Sequence, residues 1–266
     1  MSKKLRLHLL FTAGLILFSL LSLFIFGNLP YEQNLAASLA APSSQHILGT
    51  DQFGRDVLVR VLAGTGFTLV PTLFTVALVF VVGTIIGMTA GFFGGRVEFC
   101  LLGLTEIFLA VPSLVFAIAI AGILGGGIFG AVLALVIVGW AKYARLAAVL
   151  TKTIVRADFI SAAKILGAGK ITIIYRHILP NIAAPLLTTA ALDIGTTMME
   201  LAGLSFLGIG AMPPTPEWGA MMNEGRKFIL SAPQIIVAPG LLIFMMVANF
   251  NSLGEELRQY FAVKIL

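Results

Sequence analysis

The sequence is poor in charge. Only 11% of its 266 residues are Asp, Glu, Lys or Arg, where a soluble domain carries about a quarter. Mean hydropathy is correspondingly high, at +1.03. Cysteine is nearly absent: Cys100 stands alone in an apolar run, forms no internal disulfide, and says nothing of redox compartment. The three histidines, His8, His46 and His177, lie in separate segments and make no metal-ligand cluster. No Gly-rich loop ending in Lys-Ser or Lys-Thr is present, so the chain has no phosphate cradle of its own. The apolar runs are continuous rather than alternating, which argues against a transmembrane barrel. These features describe an all-α integral membrane protein.

Six runs reach the roughly 20 apolar residues that a span needs, near 8–28, 67–91, 99–124, 127–149, 183–207 and 234–253. The first follows Lys3, Lys4 and Arg6 as a signal peptide would. Its run exceeds the about 7–15 residues of a cleavable signal, so it reads as an uncleaved anchor. Basic residues set the orientation. With the N-terminus inside, the inner side receives Lys3, Lys4, Arg6, Arg96, Lys142, Arg145, Lys152, Arg156, Lys164, Lys170, Arg176, Arg258 and Lys264. The outer side keeps only Arg55, Arg60, Arg226 and Lys227. Both termini are therefore expected in the cytoplasm, and the net charge of +5 needs no nucleic acid to explain it. Residues 1–66 read as an anchor helix with an extracytoplasmic loop, and 67–266 as the main transmembrane domain. Gly83, Gly87 and Gly91 form a stripe of the kind that lets helices approach closely in lipid.

The inner loop at 151–182 is the most informative stretch. A loop of this length costs entropy unless something orders it. Residues 158–168 suit a short helix with Asp158 near its start, where a carboxylate can cap free amides and complement the dipole. Ala162, Ala163 and Leu166 would share a small, flat face, and Gly167 and Gly169 break the helix. A second helix over 171–178 would be ended by Pro180. An amphipathic linker resting on the membrane surface shares this pattern.

The stretch SAAKILGAG at 161–169, continuing to Ile178, Leu179 and Pro180, resembles the cytoplasmic loop by which permeases of ATP-binding-cassette importers engage their ATPase. Ser161 stands where the usual residue is Glu. Further matches follow in order: LGTDQFGRD at 48–56, GFFGGRV at 91–97, Glu106 before Pro112, WAKYAR at 140–145, LSFLG at 204–208 and PPTPEWG at 213–219. They are similar to the peptide and nickel permease family. The resemblance implies a type I, methionine-importer-like permease fold in the bacterial cytoplasmic membrane. It implies a non-catalytic chain without cofactors, working beside a sibling permease and one or two ATPase subunits that bind ATP–Mg. An extracytoplasmic solute-binding protein would deliver solute. Ser161, Ala162, Ala163, Leu166, Gly167 and Ala168 are then the expected ATPase contacts.

Charges inside spans face a cavity or a partner. Asp193 and Glu200 lie seven apart on one helical face, with Thr196 and Thr197 between them. This face is expected to line the translocation path, with pairing at a subunit interface as the alternative. Glu106, nearer the inner end, is expected to find a loop Arg. Met198 and Met199 read as apolar filler rather than metal ligands. On the outer side, Asp51, Arg55 and Asp56 suggest helix capping and a local ion pair before an interfacial helix reaching Thr65. Pro214, Glu217, Trp218 and Arg226 are candidates for an outer gate or receptor contact, with Trp218 at the water–lipid boundary. LDIG at 192–195 and AGLSFLG at 202–208 look more like the nickel branch, so nickel or a metal chelate is the expected solute, and di- or oligopeptides the alternative. An ion-coupled secondary transporter with Asp193 and Glu200 as a proton relay would not need the long loop. An intramembrane hydrolase built on Ser205 lacks both the following Gly and a histidine base.

Overall fold

In lipid, only a helix or a closed barrel satisfies every backbone amide and carbonyl internally, and the chain takes the first solution. A computed structural model of the protein describes residues 3–265, with side chains to 261. Lys264, counted among the inner bases, lies beyond the described side chains. The helices are α1 (Lys3–Ile25), α2 (Val57–Phe93), α3 (Gly95–Leu109), α4 (Ser113–Ile123), α5 (Gly127–Val155), α6 (Asp158–Ile165), α7 (Lys170–Ile173), α8 (Leu179–Phe206), α9 (Trp218–Gly225) and α10 (Gln234–Ile265). No strand forms among the described residues beyond an isolated bridge between Thr50 and Asp56. Five helical stretches are long and apolar enough to cross a membrane, or six where the bent pair α3–α4 counts as one span.

Three boundaries differ from the sequence reading. The interfacial helix expected to stop near Thr65 is continuous with the second span: α2 runs 37 residues, about 55 Å at 1.5 Å per residue, and so outreaches a hydrocarbon core of about 30 Å. Asp56 starts it, accepting from the Val59 amide at 3.0 Å. The third span is broken, α3 meeting α4 at 90°. Pro112, with no N–H to give, sits at the N-cap of α4 in an extended conformation. Pro180 does not end a helix. It lies in the first turn of α8, and the preceding π-turn, Ile174–Ile178, widens the helix where a proline ring would otherwise strike a carbonyl. Lys170 to Phe206 is thereby one span.

The glycine stripe proves to be packing. A Cβ on Gly83, Gly87 or Gly91 would collide with the carbonyl oxygens of Trp140, Ala144 and Ala148 respectively. Both series step by four, so α2 and α5 lie backbone to backbone along a shared register. One core cluster joins α2, α9 and α10 around Val61, Leu69, Trp218 and Phe250. A second joins α2, α5, α6 and α8 around Val79, Tyr143, Ile160 and Ile182. A third joins α4, α5 and α8 around Ala121, Leu135 and Leu204. At the end carrying α6, α1 is tied to α10 by His8 and Glu256, 2.8 Å apart, and further along by Asn249 donating to Thr12 at 3.1 Å.

Candidate functional site

At one end of the bundle α6 forms a short arm. Ala157, not Asp158, is its N-cap, and no side chain caps it; Asp158 in the first turn meets only the dipole. Ile160 is its single buried residue and anchors the arm among Ile173, Ile178 and Ile182. Ser161 and Ala162 are exposed, and Ala163 and Ala168 half-buried. Gly167 follows the helix at φ +82°, a left-handed turn that closes it. The free surface is less flat than expected: Ile165 and Leu166 each remain 86% exposed. Ile165 is a candidate contact that an emphasis on small residues passes over. Two bare apolar side chains beside Lys164 make a compact patch of the sort that marks a protein contact.

Within the spans, opposite charges meet across helices. Lys142 Nζ on α5 lies 2.7 Å from Asp193 Oδ2 on α8. Arg145, one turn along, lies 3.4 Å from Glu106 Oε1 on α3. Glu200 accepts from the Ser113 hydroxyl, at the bend of the broken span, at 2.8 Å. The partner expected for Glu106 is thus an arginine of α5 rather than of a loop, and Lys142 belongs to mid-span rather than to the inner flank. Beside these pairs is a cavity of about 320 Å³, lined by Phe108, Pro112, Ser113, Lys142, Thr196 and Glu200 among others. Thr196 and Glu200 face it together; Asp193 stands behind Lys142, and Thr197 is buried on another side of α8, contrary to the single face expected for all four. Met198 is core filler.

At the opposite end the arrangement is chiefly structural. Arg55 and Arg60, each only 1% exposed, converge on Asp51 and Glu224. Glu217 caps α9, taking the Gly219 and Ala220 amides at 3.0 and 2.8 Å. Burial pushes its carboxyl up from the ordinary value, against the opposing hydrogen bonds of those amides and of Ser205 and Thr68. Trp218 is wholly buried rather than at a lipid boundary; its Nε1 donates to the Val61 carbonyl at 2.9 Å. Glu217 and Trp218 therefore offer no surface to a receptor as they stand. Pro214 and Arg226 are exposed on the wall of an open cavity of about 700 Å³.

Residues 83–254 match the family described as the inner membrane component of binding-protein-dependent transport systems. The chain belongs to this family. It is 40% identical over 227 residues to the dipeptide transport system permease protein DppC of Alkalihalophilus pseudofirmus, spanning 85% of this chain and 75% of that one. It is 35% identical over 255 residues to the nickel transport system permease protein NikC of Escherichia coli, spanning 96% and 92%. It is also 35% identical over 260 residues to the glutathione transport system permease protein GsiD of Pectobacterium atrosepticum, spanning 96% and 86%. Among solved structures, the inward-facing MetNI methionine ABC transporter matches with a TM-score of 0.58 at 17% identity, covering 76% of this chain and 96% of that chain. The expected type I permease fold stands, and the chain is a multi-pass permease subunit of an ATP-binding-cassette importer.

Proposed function

We propose that this permease forms half of a translocation path with a sibling subunit and takes its energy from separate ATPase subunits, which bind ATP–Mg beneath α6. A solute-binding protein serves the α9 end. The chain itself catalyses nothing. The observation that carries this reading is the α6 arm: an apolar tip, Ile165 and Leu166, on a helix rooted through Ile160 in the cluster that also holds Tyr143 of α5 and Ile182 of α8. A pull on the tip is passed to the two helices that carry the mid-span charges, which suits rigid-body switching between two packed states. The solute favoured by the geometry is a small peptide. Lys142 beside the carboxylates of Asp193 and Glu200 offers both signs of charge, which suits a zwitterionic peptide, with nickel or a metal chelate as the second reading. The name of one relative, NikC, keeps that second reading in view.

Reconstitution with the partner subunits tests the arm. Gly167→Pro forbids the φ of +82° that closes α6, and Ala163→Glu sets a charge against the groove. Both variants should insert and assemble, keep ATP hydrolysis, and lose uptake by about tenfold or more, equivalent to about 1.4 kcal/mol of coupling. Unchanged uptake in both contradicts the assignment.

A further inference from the structure

We propose that the cavity between the bend of the third span, α5 and α8 is a solute contact site for a small zwitterion, with Lys142 receiving its carboxylate and Glu200 its ammonium. The proposal rests on the permease reading above and assigns ligand-binding residues within this subunit.

Charges inside a span are costly to retain and ordinarily serve a pathway or a partner. Here they are satisfied without being used up. Lys142 pairs with Asp193 at 2.7 Å yet stays 41% exposed, with three donors on its ammonium of which one faces the carboxylate. Glu200 holds the Ser113 hydroxyl through Oε1, which leaves its second oxygen to accept. Both line the same space, together with Thr196 on the face of Glu200. A cavity of about 320 Å³ falls at the small end of ligand pockets, whose range is about 300–1,000 Å³. Asp193, beside Lys142, and Glu200 are seven residues apart, so the two charged positions are separated by about 10 Å along α8. The cavity thus presents an ammonium and a carboxylate to one space, as the two ends of a small zwitterion require.

The test uses the full importer reconstituted in vesicles with its own partners and four probes: L-alanyl-L-alanine, its N-acetyl derivative, its C-terminal amide, and radiolabelled nickel ion. Because the binding protein is the same in every arm, its preferences cancel when variants are compared with wild type. Glu200→Gln retains an acceptor for Ser113, and Lys142→Met retains the stem. Wild type is expected to admit dialanine in preference to either blocked form. Glu200→Gln should raise the KM for dialanine about tenfold while leaving the N-acetyl derivative unaffected, the cost of one charge-assisted hydrogen bond. Lys142→Met should do the same for dialanine relative to the amide. Equal effects on every probe would mean a packing or subunit-interface role and would overturn the site. So would unaltered discrimination in Glu200→Gln assembled at wild-type level, or a wild-type complex that carries nickel ion and rejects dialanine, or admits none of the peptide probes. Uptake by wild type that is independent of ATP would overturn the importer reading itself, a separate result.

Discussion

Asp51, Arg55, Arg60 and Glu224 show how much at residue scale is set by partners distant in sequence. The pairing of Asp51 with Arg55 and the cap at Asp56 are legible from spacing, since i,i+4 neighbours and an acidic N-cap follow local rules. Glu224, 164 residues beyond Arg60, is not. Removing it leaves two guanidiniums buried with one carboxylate between them. Glu224→Ala should cost about 3–5 kcal/mol, measured as a lower melting temperature of the detergent-solubilised protein; an unchanged melting point would mean that water solvates the arginines in its place. Trp218 makes a similar case. Aromatic residues favour membrane boundaries in general, but Gly64 leaves a hollow in which Pro216 and the Trp218 ring lie, so the indole is drawn inward. Gly64→Ala should loosen α9 from α2, and faster amide exchange at 218–225 would report it. Glu217 must accept two backbone amides at once, one on each oxygen. Glu217→Gln offers one acceptor and should cost about 1 kcal/mol; a melting temperature equal to wild type would contradict that account.

Elements were legible where hydrophobicity alone decides them. Spans one and four, the short helix at α6 and the break at Gly167 follow from run length and from glycine. What escaped the sequence reading was how prolines are accommodated. Pro112 and Pro180 carry the same local signal, yet one marks a 90° bend and the other an uninterrupted span. The difference lies in a π-turn, which requires packing of Ile173 and Ile178 in the core to hold it. The glycine stripe is legible as packing, though its partner carbonyls on α5 are not visible from spacing. Gly87→Val should force α2 from α5 and reduce assembled protein by several-fold in a membrane-fraction assay, as overpacking costs about 1–3 kcal/mol. Wild-type yield from that variant would mean the helices tolerate a wider gap.

At the scale of the molecule, the multi-pass helical bundle and the family are legible, because both rest on long runs and on several motifs in a fixed order. The polar interior was only half legible. Asp193, Thr196 and Glu200 stand out as charged or polar in an apolar run, but the partners of the two acids, Lys142 and Ser113, come from other helices, and Lys142 reads by sequence as an inner-flank base. The basic asymmetry survives without it. Joined through Ile160 to both α5 and α8, the α6 arm gives the bundle a lever at one end and charged groups midway. Cross-linking examines that lever most directly. In a Cys100→Ser background, Leu166→Cys places the sole thiol at the tip of α6. A bifunctional reagent applied to inside-out vesicles should join it to an ATP-hydrolysing subunit, with a yield that changes when ATP binds. Labelling of that thiol by an impermeant reagent from outside intact cells, or an adduct with no nucleotide-hydrolysing partner, would contradict the account.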